Sequence, residues 1–162
     1  MTIKKLIIGS NPRTTLIRAV CIGVVCFFFF SYVLRPVRVQ GESMSPTYKT
    51  GGVNFVNCLS YSFSEPQRGD IVTIRMAGTR VMYLKRVIGL PGEDFQIADG
   101  QVMINGEPFE EEYVEFRAPW NREKVTLKDN EYYVIGDNRG MEMEQHMQGI
   151  AIKKRIVGKV IF

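Results

Sequence analysis

The sequence predicts a mainly β protein: a single N-terminal transmembrane helix followed by a β-rich, barrel-like domain. Three observations carry this. Residues 19–34, "AVCIGVVCFFFFSYVL", form an uncharged apolar run. Beyond it, short segments rich in Val, Ile, Tyr and Phe alternate with Gly, Pro, Asn and Asp turns. No long helical periodicity survives after residue 36. The chain has 162 residues, 45% of them hydrophobic and 11% aromatic, which suits one modest domain and argues against disorder.

The first element is the apolar run. Extending it back through Ile17 and Leu16 admits only Arg18, whose long side chain can snorkel to an interface. Residues 16–34 would rise about 28 Å as a helix, close to the hydrocarbon thickness of a bilayer. Lys4, Lys5, Arg13 and Arg18 precede the span, and Arg35 and Arg38 follow it. That bias predicts residues 1–15 in the cytoplasm and residues 36–162 outside it. A cleavable signal peptide is the rival reading, but its apolar core would be shorter and would end in a small-residue site. Here "SYVLRPVRV" follows, so an uncleaved anchor in membrane lipid is expected.

The strands come next. Segments 53–57, 70–75, 81–88, 94–98, 101–105, 131–136 and 155–162 read as short strands. Asp99-Gly100, between "QIA" and "QVMI", is a two-residue hairpin signal, and Asn105-Gly106 marks a further turn. Antiparallel strands of this kind close into a compact sandwich or barrel-like body.

Charge and cysteine content exclude several classes. The formal net charge of +4 is modest. Glu107, Glu110, Glu111, Glu112 and Glu115 form an acidic cluster and Lys153, Lys154 and Arg155 a basic one, read here as two solvated surfaces. Without a dense basic stripe, no nucleic-acid partner is expected. Cys21 and Cys26 lie in the apolar run and Cys58 stands alone, so no disulfide framework is expected. One histidine and no CxxC pair leave no metal site in view.

The chemistry-bearing stretch is "GESMSPT", Gly41 to Thr47, only a few residues after the apolar run. A serine is a weak nucleophile until a base takes its proton. One candidate constellation is Ser43 with His146 and Asp137; a lone polar-loop histidine is more often structural or merely solvated. The other base is lysine. In "VMYLKRVI", alternation puts Val81, Tyr83, Lys85 and Val87 on one face and Met82, Leu84, Arg86 and Ile88 on the other. Apolar neighbours would desolvate the Lys85 amine and lower its pKa. Against this stands a plain edge-strand lysine guarding against aggregation.

Four stretches in this order behind an anchor resemble the bacterial type I signal peptidases: "GESMSPT" (41–47), "RGDIV" (68–72), "KRVIGLPGE" (85–93) and "IGDNR" (135–139). The resemblance covers residues 16 to 162. It implies a membrane-bound serine endopeptidase that removes signal peptides from exported preproteins after small residues, through an acyl-enzyme. Ser43 would be the nucleophile, Lys85 the general base, and the Ser43 backbone N–H an oxyanion donor. Met44, Gly41 and Tyr83 would belong to the oxyanion and substrate pocket. Asp137, Asn138 and Arg139, with Glu142, would form the loop supporting the lysine strand. No metal or cofactor is implied, and a monomer is expected. Alternatives of the same lineage are a specialised peptidase for pilins or sorted surface proteins, and an inactive binding module. The self-cleaving repressors also use Ser and Lys but carry a DNA-binding helical region where this chain has its apolar run.

Two departures from the family pattern stand out. Gly41 occupies a position where many members carry a serine whose hydroxyl assists the oxyanion; glycine there would permit close approach of a substrate backbone. After Arg139, where the family carries Ser, x, Asp, Ser and Arg, this chain has Glu142, Met143, Glu144, Gln145 and His146. A carboxylate against Lys85 would oppose its work as a base. Glu142 is therefore expected to turn away or to be held by a cation such as Arg139. A Glu144–His146 contact would replace the family's Asp–Arg pair, unless Gly140 shifts the register.

Overall fold

A computed structural model describes residues 11–75 and 82–161. Helix α1, Pro12–Phe28, begins one turn before the expected start. Asn11 caps it, its side chain accepting from Arg13 N at 3.0 Å, and Pro12 takes the first helical position, where a missing N–H costs nothing. A single π-helical turn, Phe29–Val33, continues it. Pro36 biases Arg35 to extended backbone, and the Arg35 guanidinium donates to the Ser31 carbonyl at 2.8 Å, covering one freed acceptor. Pro12 to Val33 is long and apolar enough to cross a membrane, and none of the helix is buried against the domain. Lys4 and Lys5 lie outside the described residues.

Eleven strands follow among the described residues: β1 Leu34–Arg38, β2 Val53–Asn57, β3 Ile71–Arg75, β4 Met82–Gly89, β5 Asp94–Ala98, β6 Gln101–Ile104, β7 Glu107–Pro108, β8 Arg122–Thr126, β9 Glu131–Ile135, β10 Gly149–Ile152 and β11 Ile156–Val160. They form a seven-stranded sheet, β1-β2-β11-β3-β4-β9-β10, and a four-stranded sheet, β7-β6-β5-β8. Every pairing is antiparallel. Among the described residues no ladder joins β1 to β10, so the larger sheet stays open. The Asp99-Gly100 turn joins β5 to β6 with Ala98 opposite Gln101, both turn residues having positive φ.

The four strands that pattern reading does not single out, β1, β7, β8 and β10, are the four sheet edges. An edge strand has one unpaired side facing solvent, so it tolerates Pro36 and Pro108 and the charges of "REKVT". Those residues hide the β alternation. Strands β4 and β9 lie on two cores at once. Val87, Tyr132 and Val134 pack on one face of the large sheet with Val72, Ile74, Ala151 and Ile156. Ile88, Tyr133 and Ile135 pack on the other, with Phe95, Ile97, Val102, Trp120 and Leu127 of the small sheet and its loops. That is why "EYYVI" reads as a continuous apolar run. The register Val72↔Lys85 and Val87↔Val134 places Lys85 on the first of these faces. Val81, expected beside it, lies outside the described residues.

Gly158, at the bulge where β11 meets β3, has no room for a side chain: a Cβ would overlap the Asn57 carbonyl oxygen and lie 2.9 Å from Cys58 Cα. Gly158→Ala is expected to cost roughly 1–3 kcal/mol through backbone displacement. In a thermal melt of the detergent-solubilised protein, the midpoint should fall by roughly 3–9 °C.

Candidate active site

The β1–β2 connection carries "GESMSPT". Its base is pinned by Val39 N to Gly52 O and Gly51 N to Val39 O, both 2.9 Å. Ser45 N donates to Glu42 O and Tyr48 N to Met44 O, each at 2.9 Å, so the segment is a compact turn anchored by the buried Met44. The Ser45–Pro46 peptide is cis.

Segment 136–139, just past β9, clasps this turn. A Cβ on Gly136 would overlap the Ser43 carbonyl oxygen, so only glycine permits the approach. Asn138 N donates to that carbonyl at 3.1 Å, and Asn138 Nδ2 donates to Glu42 O at 3.1 Å. Asp137 is 1% exposed. Its carboxylate accepts from Thr47 Oγ1 at 2.5 Å, from Arg86 Nε at 2.9 Å and from Arg86 Nη2 at 2.6 Å. Arg86 Nη1 donates onward to Gly69 O at 2.9 Å, and the Tyr113 ring stacks 3.8 Å from the guanidinium. Arg68 pairs with Glu93. The four quoted stretches therefore meet at one place.

Lys85 projects from β4 on the face opposite Arg86. It is 1% exposed, and its Nζ lies 2.8 Å from Ser43 Oγ. Strand β4 sits between β3 and β9, which removes the edge-strand reading. Beside the amine opens a cleft of about 220 Å³ lined by Ile74, Tyr83, Val134, Met147, Ala151 and other residues. Burial pushes the Lys85 amine down to about 8, while the negative charge of Asp137 opposes the fall. A neutral amine at hydrogen-bond distance from a hydroxyl can accept its proton, the arrangement that activates a serine.

Other candidate residues fall differently. Tyr83 lines the cleft, but Met44 is 1% exposed and does not. Gly41 is exposed with φ +88° and has open space around it. The buried Arg139 donates Nε to Gly136 O at 2.8 Å and pairs bidentately with Glu111, through Nη1 at 3.0 Å and through Nη2. Glu111 is 2% exposed, so the acidic cluster is not wholly a solvated surface. Of the two fates expected for Glu142, the structure takes the first: it is exposed at the head of a short 3₁₀ turn, Met143–Gln145. The expected Glu144–His146 contact does not form. Glu144 is exposed, whereas His146 is fully buried with both ring nitrogens facing backbone, Nε2 to Asn138 O at 3.0 Å and Nδ1 to Gly136 N at 3.4 Å. With Asp137 committed to Arg86 and Thr47, no Ser–His–Asp relay assembles. Thr47, Glu111 and Trp120 were missed as site residues. Only the apolar Phe109 and Tyr113 flanking Glu111 could have hinted that it is buried.

The family model described as "Signal peptidase, peptidase S26" matches residues 13–162. A signal peptidase I from Bacillus licheniformis is 34% identical over 165 residues, spanning 93% of this chain and 89% of that protein. A signal peptidase I from Leptolyngbya laminosa is 33% identical over 141 residues, 81% of this chain and 68% of that protein. A solved signal peptidase I from Enterococcus faecalis V583 is 25% identical over 60% of this chain and 98% of that one, with a TM-score of 0.48.

Glu111→Gln would leave the Arg139 guanidinium buried without its counter-charge. Breaking a buried pair from one side costs roughly 3–5 kcal/mol, so denaturant melts should show a large loss of stability and, because Arg139 also holds Gly136 O, reduced activity in the protein that remains folded.

Proposed function

We propose a function from one premise: this chain belongs to the signal peptidase family, peptidase S26, and is a serine endopeptidase. Its substrates are exported preproteins, from which it removes N-terminal signal peptides by cutting after small residues. The observation that carries the mechanism is the 2.8 Å approach of a buried lysine amine to Ser43 Oγ.

The steps follow from that pair. Neutral Lys85 Nζ takes the Ser43 hydroxyl proton as Oγ attacks the scissile carbonyl. The oxyanion that develops meets the Ser43 backbone N–H, which donates no hydrogen bond within the described residues. Collapse breaks the C–N bond, and Lys85 returns its proton to the leaving amine, the new N-terminus of the mature protein. Lys85 then takes a proton from water, whose oxygen attacks the ester. The signal peptide leaves as a carboxylic acid, and Ser43 Oγ regains its proton from Lys85. The small apolar cleft beside the dyad would admit short side chains and reject bulk.

Anchoring by Pro12–Val33 in the bacterial cytoplasmic membrane, N-terminus inside, would hold the dyad near the depth at which a signal peptide emerges and so raise effective concentration. Cys58 N donates to Val33 O at 2.9 Å, so the loop following β2 abuts the helix end. In it Leu59 and Phe63, the latter 98% exposed, are apolar side chains that would meet lipid. Glu142 leaves Lys85 without a contacting carboxylate, which favours a working enzyme over an inactive binding module.

Detergent-solubilised protein should cleave a secretory precursor carrying a small-x-small site. Ser43→Ala and Lys85→Ala should each lower kcat/KM by at least about 10³-fold. The base must be neutral, so kcat/KM should rise about tenfold per pH unit up to an apparent pKa near 8. Asp137→Asn removes the charge that favours the ammonium, and the acid limb should move to lower pH. Activity surviving in Lys85→Ala would sink the assignment of the base.

A further inference from the structure

His146 has no part in the proton transfers above, yet it is fully buried and sits against the segment that holds the nucleophile. Gly136 is compressed between two groups: a Cβ there would overlap the Ser43 carbonyl oxygen and lie 2.6 Å from His146 Cε1. The imidazole therefore backs the strip of chain on which Ser43 rests. Its two nitrogens bracket that strip, with Nδ1 facing Gly136 N at 3.4 Å and Nε2 facing Asn138 O at 3.0 Å. An N–H donates and a carbonyl accepts, so Nε2 must carry the proton and Nδ1 the lone pair. The indole of Trp120 meets the ring edge-on at 4.8 Å, and Trp120 Nε1 is itself tied to Met141 O at 2.9 Å. Within the same bend, Asn138 N donates to Ser43 O.

We propose that His146 is a positioning residue: its neutral Nε2–H imidazole latches the Gly136–Asn138 bend and so sets the height of Ser43 against Lys85. This rests on the peptidase reading above. The latch needs a neutral ring, because a protonated Nδ1 would point a donor at the Gly136 N–H. Burial, with the charge of Lys85 of β4 while it is protonated and that of Arg139 of the ring's own loop, pushes the imidazole down to about 3. The ring thus stays neutral wherever Lys85 can work. A cationic side chain in its place would also lie close enough to Lys85 to disfavour the ammonium.

The chain has a single histidine, so ¹⁵N-histidine labelling yields one imidazole spin system. In the full-length protein in detergent, nitrogen shifts should report the neutral Nε2–H tautomer from pH 9 to pH 5. A ring in the Nδ1–H form, or titrating near 6.5, would overturn the latch. On a precursor substrate, His146→Ala should lower kcat by about 10–100-fold with KM changed less than about twofold, since a displacement near 1 Å has that scale of effect. His146→Gln, which keeps a donor for Asn138 O, should recover to within about threefold of wild type with its pH profile unmoved. His146→Arg should shift the acid limb to lower pH. Equal kcat in wild type and His146→Ala would overturn the proposal, as would equal losses in the Ala and Gln variants that follow their melting temperatures. Wild-type protein that cleaves nothing would refute the peptidase reading, leaving the tautomer measurement to decide the latch.

Discussion

Asp137 is the carboxylate on which two adjacent basic side chains of β4 depend, and the site follows from how unequally it serves them. Lys85 and Arg86 are neighbours in sequence, so the pleat sends them to opposite faces. Arg86 takes both carboxylate oxygens in a bidentate pair. Lys85 feels the same charge only through space and is otherwise left to burial. A carboxylate in contact would hold the amine as ammonium; no carboxylate at all would depress it further. The intermediate result, near 8, suits the proposed base, which must both take and return a proton. Because Asp137 also accepts from Thr47, one group ties the strand bearing Lys85 to the turn bearing Ser43.

Such a site is safe only if its buried polar groups are satisfied. Arg139 meets Glu111 with two nitrogens and Gly136 O with the third, leaving no donor cluster stranded beneath the bend. Trp120 joins the core of the small sheet to the same loop through Met141 O. The 136–141 segment is thus held by ion pair, indole and imidazole at once. A fully satisfied network of this kind fixes geometry more firmly than packing alone.

The loop after Arg139 departs from the family pattern mainly in where it puts charge. Glu142 and Glu144 face solvent, and the buried member is an imidazole whose nitrogens meet backbone groups. Acids that would have held Lys85 as ammonium are therefore kept off it. The interior contact is made by a group that adds no charge of its own. Substituting acidic residues next to a lysine base is tolerable when backbone direction, rather than residue type, decides which of them points inward.

Much of this was legible in sequence because it is local. The span, the interior strands, the Asp99-Gly100 turn and the alternation that sets Lys85 among apolar neighbours all follow from hydrophobic period and turn chemistry within a few residues. The four motif stretches likewise marked Ser43, Lys85 and Asp137 as candidates. Tertiary structure alone decided the rest. The edge strands β1, β7, β8 and β10 are strands because of the neighbour on their one paired side, while their own residues answer to solvent. Glu111 looked like its exposed neighbours until Arg139, distant in the chain, was folded against it. His146 could have been a base, a structural residue or a solvated one. Which it became depended on the backbone groups brought to its two nitrogens, and long-range register, unlike periodicity, leaves no mark in the residues beside it.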